Sequence, residues 1–426
     1  MRKFLLLLLI VVHAVSHAQS LTIEYCVKVA QENYPAIKKA GLLEKTLDLD
    51  LSDINRGWLP RISVYGQGTV QNVVPSFPSA LSGILEQMGQ EIDGLGKWQY
   101  KIGVDVSQTI WDSGTSKAQR QMSRAKDAVQ QSSVDVELYA VRQKVESLFF
   151  AILLTEEQIT QNRQTLSLLG KNLDKINVML RNGTAMQSDA DMMEAQMLTL
   201  KQGITQAESA VKGYRQLLSL YTGENTSDKA LSMPTATLPN SQVSARPELQ
   251  LFDTQMESAR AALRLSDTST MPKVGLFAQA YYGYPGFDYF KSIISRDMSF
   301  NILAGIKMSW NIDAFYTKRN TSDKTALNLA QIKADRETFL FNSQLQSESQ
   351  TAAIEGLRKV MTDDSRIVEL RGNVRKAAES QLNNGIIDMT TLLSKITDEN
   401  LAQLTAKFHE IQYLQEIYKL KYTLNQ

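Results

Sequence analysis

Two periods of hydrophobic residues alternate along this chain, and prolines mark the changes between them. Residues 30–57 read as helix. Pro60 in "WLPRISVYGQ" ends that run, because proline lacks the donor that continues the ladder and disfavours helical geometry at Leu59. Beyond it the period drops to two, with Ile62, Val64 and Gly66 on one face and Ser63, Tyr65 and Gln67 on the other. A second such run sets Ile102, Val104, Val106 and Ile110 against Lys101, Asp105, Ser107 and Thr109. In the second half Ile306, Met308 and Trp310 alternate with Lys307, Ser309 and Asn311.

From Thr115 to Leu180 there is no proline, and Gly170 is the one glycine. Val145, Leu148, Ile152, Ile159, Leu166, Leu169, Leu173, Ile176 and Leu180 step by three, four or seven, with Thr155 and Asn162 filling polar gaps. That heptad spacing predicts long helices packed side by side with a supercoil, and such a helix is roughly 100 Å long. After "LRNG" a return helix is expected over 184–222, and the second half repeats the pair over 317–382 and 386–424.

The chain says everything twice. Pro35 and Pro247, and Pro60 and Pro272, are each 212 residues apart, so that "PRISVYGQ" and "PKVGLFAQ" align residue for residue. Gly103 and Gly305, and Gly183 and Gly385, are 202 apart, which places ten extra residues of the first half in the loop between its strands. The organisation expected is a first repeat over 19–222 with a strand hairpin at 61–111 and a long helix at 115–180, a linker at 223–244, and a second repeat over 245–426 with a hairpin at 273–312.

Composition narrows the address. Arg2 and Lys3, the apolar run Phe4–Val12 and small residues up to Ala18 read as a secretory signal peptide over residues 1–18, too short to span a bilayer. The full chain has a formal net charge of +1, and without the leader it is −1, so no basic excess exists to hold nucleic acid. Cys26 is the one cysteine, and Glu24 and Tyr25 stand where a lipidated cysteine has small residues. His409 is the one histidine beyond the leader. No nucleophile and base constellation and no metal-ligand set are legible, so neither an enzyme nor a cofactor is expected.

Strands of about ten residues are long enough to cross a bilayer at a tilt. Trp58, Trp98, Trp111 and Trp310 lie at strand ends, with Tyr281, Tyr282 and Tyr284 at another, as in an interfacial aromatic girdle; the other reading is a soluble two-sheet core with aromatic edges. Four strands cannot close a barrel, and an open edge in lipid costs several kcal/mol per unsatisfied group, so in a membrane several chains must pool their strands.

The order of elements, the duplication, the strand openers "WLPRISVYG" and "MPKVGLFAQ" and the "RNG" and "NNG" turns resemble the TolC-type outer membrane efflux proteins over essentially the whole mature chain. The resemblance implies a mainly α fold with four strands per chain, and a homotrimer joining a twelve-stranded outer-membrane β-barrel to a twelve-helix periplasmic α-barrel. It implies partners too: outer-membrane lipid, a periplasmic adaptor protein and an inner-membrane pump, in a tripartite efflux or type I secretion system. The implied docking tips are Arg181, Asn182 and Gly183, and Asn383, Asn384 and Gly385.

The family's two pore-constricting aspartates fall at Thr391 and Ser394, and its tyrosine and arginine lock at Leu382 and Ile387, so the charged gate is missing from the second repeat. In the first repeat Asp189 does match, with Asp191 beside it, either as an acidic pore ring or as an ordinary helix start. Met186, Met192, Met193 and Met197 cluster nearby, as packing or as a soft-metal path. Asp105 and Lys307 are expected on the barrel lumen. The reading from another class is a periplasmic coiled-coil scaffold that never enters lipid. The residues do not name the transported substrate.

Overall fold

The structure is a computed structural model that describes residues 20–89, 94–239 and 244–426, so the expected leader over 1–18 lies outside it. In chain order the elements are α1 (Ile23–Asn33), α2 (Ile37–Arg56), β1 (Arg61–Val70), α3 (Ser79–Gln87), β2 (Trp98–Trp111), α4 (Thr115–Arg181) and α5 (Gln187–Thr222). The second half follows with α6 (Pro247–Asp267), β3 (Lys273–Tyr284), α7 (Tyr289–Ser295), β4 (Ser299–Ser309), α8 (Ala314–Asn383) and α9 (Met389–Leu424). Helix, strand, short helix, strand, very long helix and return helix thus occur in the same order twice.

One expectation fails at the start. Residues 30–57 are not a single helix, because α1 ends at Asn33 and Tyr34 is extended, with φ −64° and ψ 131°. The following Pro35 crowds the backbone of Tyr34 out of helical geometry, and α2 begins two residues later. The helices over 184–222 and 386–424 start three residues late, at Gln187 and Met389, because the capping residues before them, Met186 and Asp388, are extended.

The chain forms two compact units that cut across the repeats. One comprises residues 43–130 and 253–332, the other the remaining described residues. The first holds a single antiparallel sheet in the order β1-β2-β3-β4. Its register is continuous except for a bulge between Thr109 and Trp111. Among the described residues β1 and β4 pair on one side only, leaving two open edges.

The second unit is helical, and its largest core joins α1 to α4, α5 and α9. Ile23, Cys26 and Ala30 pack on Val145, Phe149, Phe150 and Ile152, with Leu218, Ile411 and Tyr418 closing the cluster. The heptad positions Val145, Ile152, Ile159, Leu169 and Ile176 are all buried, as a supercoiled seam demands. The linker is tied in by its backbone: Leu21 makes a parallel bridge with Leu231, and Ala245 donates to the carbonyl of Leu424.

Candidate functional site

Both turns between long and return helices use the same bond pattern. After α4 the amide of Gly183 donates to Leu180 at 3.0 Å and that of Thr184 to Met179 at 2.9 Å. After α8 the amide of Gly385 donates to Leu382 at 2.9 Å and that of Ile386 to Gln381 at 2.9 Å. This is the Schellman end, which needs one left-handed residue, and Gly183 and Gly385 supply it at φ 72° and 69°. Arg181, Asn182, Asn383 and Asn384 are exposed around these glycines.

The acids of the turns are committed to helix starts. An Asp189 oxygen accepts from the Met186 amide at 3.0 Å, and Asp191 accepts from the side chain of Gln187 at 2.8 Å. In the other turn Asp388 N-caps α9, accepting from the amide and hydroxyl of Thr391 at 2.8 and 2.6 Å. Those bonds hold the Asp388 carboxyl below its ordinary range. Thr391 therefore serves the cap, while Ser394 and Asp191 are exposed. Sequence reasoning missed Asp388, although an aspartate three residues before Thr391, just ahead of a helical run, is a legible cap signal.

Beneath the turns, Leu169 and Ile176 of α4 pack with Ala190 and Met193 of α5, Ala378 of α8, and Met389, Leu392 and Ile396 of α9. Met193 is fully buried and Met197 packs against the same cluster, so these two methionines fill core space. Met186 and Met192 are exposed, and Thr390 donates to the Met192 sulfur at 3.6 Å. Among the described residues no group of three or more His, Cys, Asp or Glu side chains could hold a metal ion. Between α8 and α9, Arg375 sits between Glu379, at 2.8 Å, and Glu399, with all three side chains largely buried.

The sheet divides its side chains by chemistry. Directly paired positions share a face, so the rows Ile62–Val106–Ala278–Ala304, Val64–Val104–Ala280–Ile302 and Gly66–Ile102–Tyr282–Phe300 lie together, with Leu276–Ile306 and Val274–Met308. No charged residue stands on that face in any of the four strands. It is also uncovered, with Val64 72% and Ile306 73% exposed. The opposite face carries Arg61, Lys101, Asp105, Lys273 and Lys307 among Ser63, Gln67, Ser107, Gln279, Asn301 and Ser309. Asp105 and Lys307 are thus on one face, and Lys101 lies between the rings of Tyr65 and Tyr281, 5.7 and 5.3 Å from their centroids.

The tryptophans fall at both ends of the strands. Trp98 opens β2 at one end, whereas Trp111 closes it at the other, where Trp58 and Trp310 flank β1 and β4. Trp98, Trp111 and Trp310 are at least half exposed, and the Trp310 indole donates to the Thr270 carbonyl at 2.9 Å.

No family model and no curated protein match the chain. Its fold matches solved bacterial outer-membrane proteins along most of their length. The Campylobacter jejuni CmeC outer membrane channel aligns with a TM-score of 0.68 at 12% identity, covering 94% of this chain and 85% of that one. The outer membrane protein VceC from Vibrio cholerae aligns at 0.68 and 11% identity, covering 94% of each. The open state of the Neisseria gonorrhoeae MtrE outer membrane channel aligns at 0.66 and 13% identity, covering 94% and 88%. At these identities the likeness is one of fold, and the chain has the fold of the TolC-type channels: long helices with a four-stranded sheet.

Proposed function

We propose that this chain is the outer-membrane exit duct of a tripartite efflux or type I secretion system, passive in itself and energised by a partner pump. The observation that carries the reading is the sheet: four strands with two open edges, one wholly uncharged and exposed face, and one polar face. In water such a face is a liability; in lipid it is a requirement. Three copies joined edge to edge, β4 of one to β1 of the next, make an antiparallel barrel of twelve strands with the polar rows inside. Asp105 and Lys307 then face the lumen, and Trp58, Trp98, Trp111 and Trp310 sit at the lipid interfaces.

In this reading the long helices extend into the periplasm and the two glycine turns meet the adaptor, through Arg181, Asn182 and Gly183 and through Asn383, Asn384 and Gly385. Acidity at the pore entrance comes from Asp189 with Asp191, since Thr391 and Ser394 add no charge. The fold shared with CmeC and MtrE, described as outer membrane channels, supports the assignment. A scaffold confined to the periplasm is disfavoured by the same exposed apolar rows. Fractionation of the expressing cell tests it: a heat-modifiable oligomer in the outer membrane supports the duct, and recovery of all the protein in soluble periplasm contradicts it.

A further inference from the structure

The polar face of the sheet is strongly one-sided in charge. Four cations, Arg61, Lys101, Lys273 and Lys307, stand there against the single anion Asp105. Three of the four gather at one end. Arg61 and Lys273 open their strands just past Pro60 and Pro272, and Lys307 pairs across Gly275 near the end of β4. These three line one concavity of about 250 Å³ together with the hydroxyls of Ser107, Thr109 and Ser309.

None of the three has an ion-pair partner among the described residues. Asp50, Asp53 and Asp112 line a neighbouring concavity with Arg61 and Lys273, and each already has a partner of its own. Asp112 accepts from the amides of Gly114 and Ser116 at the start of α4, Asp50 accepts from the Ser123 hydroxyl, and Asp53 lies 4.0 Å from Arg56. A cluster of cations without ion-pair partners, with hydroxyl donors between them, is suited to an anion rather than to fold stability.

We infer that this end of the sheet is an anion-selective collar, favouring solutes that carry carboxylate, phosphate or sulfonate groups. The inference rests on the exit-duct reading, in which three copies pool these cations into one basic ring. A passage lined by one sign of charge concentrates the opposite ion and repels its own, and the effect grows as the passage narrows. Lys101, held between Tyr65 and Tyr281, extends the positive field along the strands. Arg61, Lys273 and Lys307 are specificity-determining residues of the conduit on this account.

The test is the reversal potential of the purified, reconstituted chain in phosphatidylcholine bilayers under a potassium chloride gradient. The wild type passes chloride in preference to potassium, and the triple variant Arg61→Gln, Lys273→Gln, Lys307→Gln lowers the chloride-to-potassium permeability ratio about twofold or more. A second variant, Lys307→Cys, reads the same site without the triple change. Cys26 is fully buried and burial pushes its thiol up to about 11, so a charged methanethiosulfonate reagent reports position 307. A cationic adduct restores the ratio and an anionic one lowers it further. Equal ratios in all these forms overturn the collar. So does a ratio that responds only in bilayers containing phosphatidylglycerol, which sets the cations against lipid phosphate. A folded wild type with no conductance at all overturns the exit duct and the collar with it, a result distinct from conductance without selectivity.

Discussion

Asp189 and Asp388 occupy non-equivalent places in the two repeats and cap their helices from opposite ends of the same bond pattern. Asp189 lies three residues inside α5 and reaches back to the Met186 amide, whereas Asp388 precedes α9 and reaches forward to the Thr391 amide. The 202-residue offset pairs Asp189 with Thr391 and Met186 with Asp388. Each turn keeps one carboxylate near the positive end of a helix dipole, by a different residue.

For Asp388 the consequence is a pH dependence. Its carboxyl is held low by the Thr391 bonds, so the cap contributes fully above the unfolded value of about 4 and is lost as pH falls through the folded value below it. Asp388→Ala should speed hydrogen exchange at the Thr391 amide at neutral pH, and the two proteins should converge near about pH 2. A difference that persists undiminished in acid contradicts this role.

Gly183→Ala and Gly385→Ala should each cost about 1–2 kcal/mol of local stability, because a Cβ is strained at φ 72° and 69°. No neighbouring atom lies within 4 Å of where either Cβ would sit, so the cost is backbone strain alone. Exchange at the turns, or cleavage there by a limiting protease, measures it. Asparagine at either position should lose less than alanine.

Removing the guanidinium of Arg375 strands two carboxylates with little access to water. Arg375→Ala should therefore destabilise the helical unit by about 3 kcal/mol in chemical denaturation. Arg371 meets Asp398 at 3.0 Å with half its side chain exposed, so Arg371→Ala should cost at most about 1 kcal/mol. Similar losses for the two would show that burial of the triad is energetically unimportant.

Asp189→Asn with Asp191→Asn should reduce the cation permeability of the reconstituted channel, the opposite direction to the change expected from neutralising Arg61, Lys273 and Lys307. An unchanged reversal potential removes these acids from the conducting path and leaves them as helix-start residues.

Periodicity and prolines carried much of this fold in the sequence. Pro60 and Pro272 stand directly before strands, and the heptad from Val145 to Ile176 is buried as its spacing requires. The break at Tyr34 was hidden because apolar spacing continues across it, and only the residue preceding Pro35 gives it away. The short helices α3 and α7 sit in loops whose few residues give no usable period. At the turns, Asp189 was legible as an acid but its bond to Met186 was not, since capping geometry depends on where the helix begins. The basic cluster escaped notice for a different reason. Arg61, Lys273 and Lys307 lie on three strands, and only the register brings them together.

The central claim is that the uncharged face meets lipid because identical copies complete the sheet. Electron cryo-microscopy of the purified chain in lipid nanodiscs tests it most directly. The account predicts a threefold particle whose membrane part is a single closed twelve-stranded barrel, with β4 of each copy hydrogen-bonded to β1 of the next. A particle holding one chain, or one whose sheets lie outside the lipid disc, contradicts it.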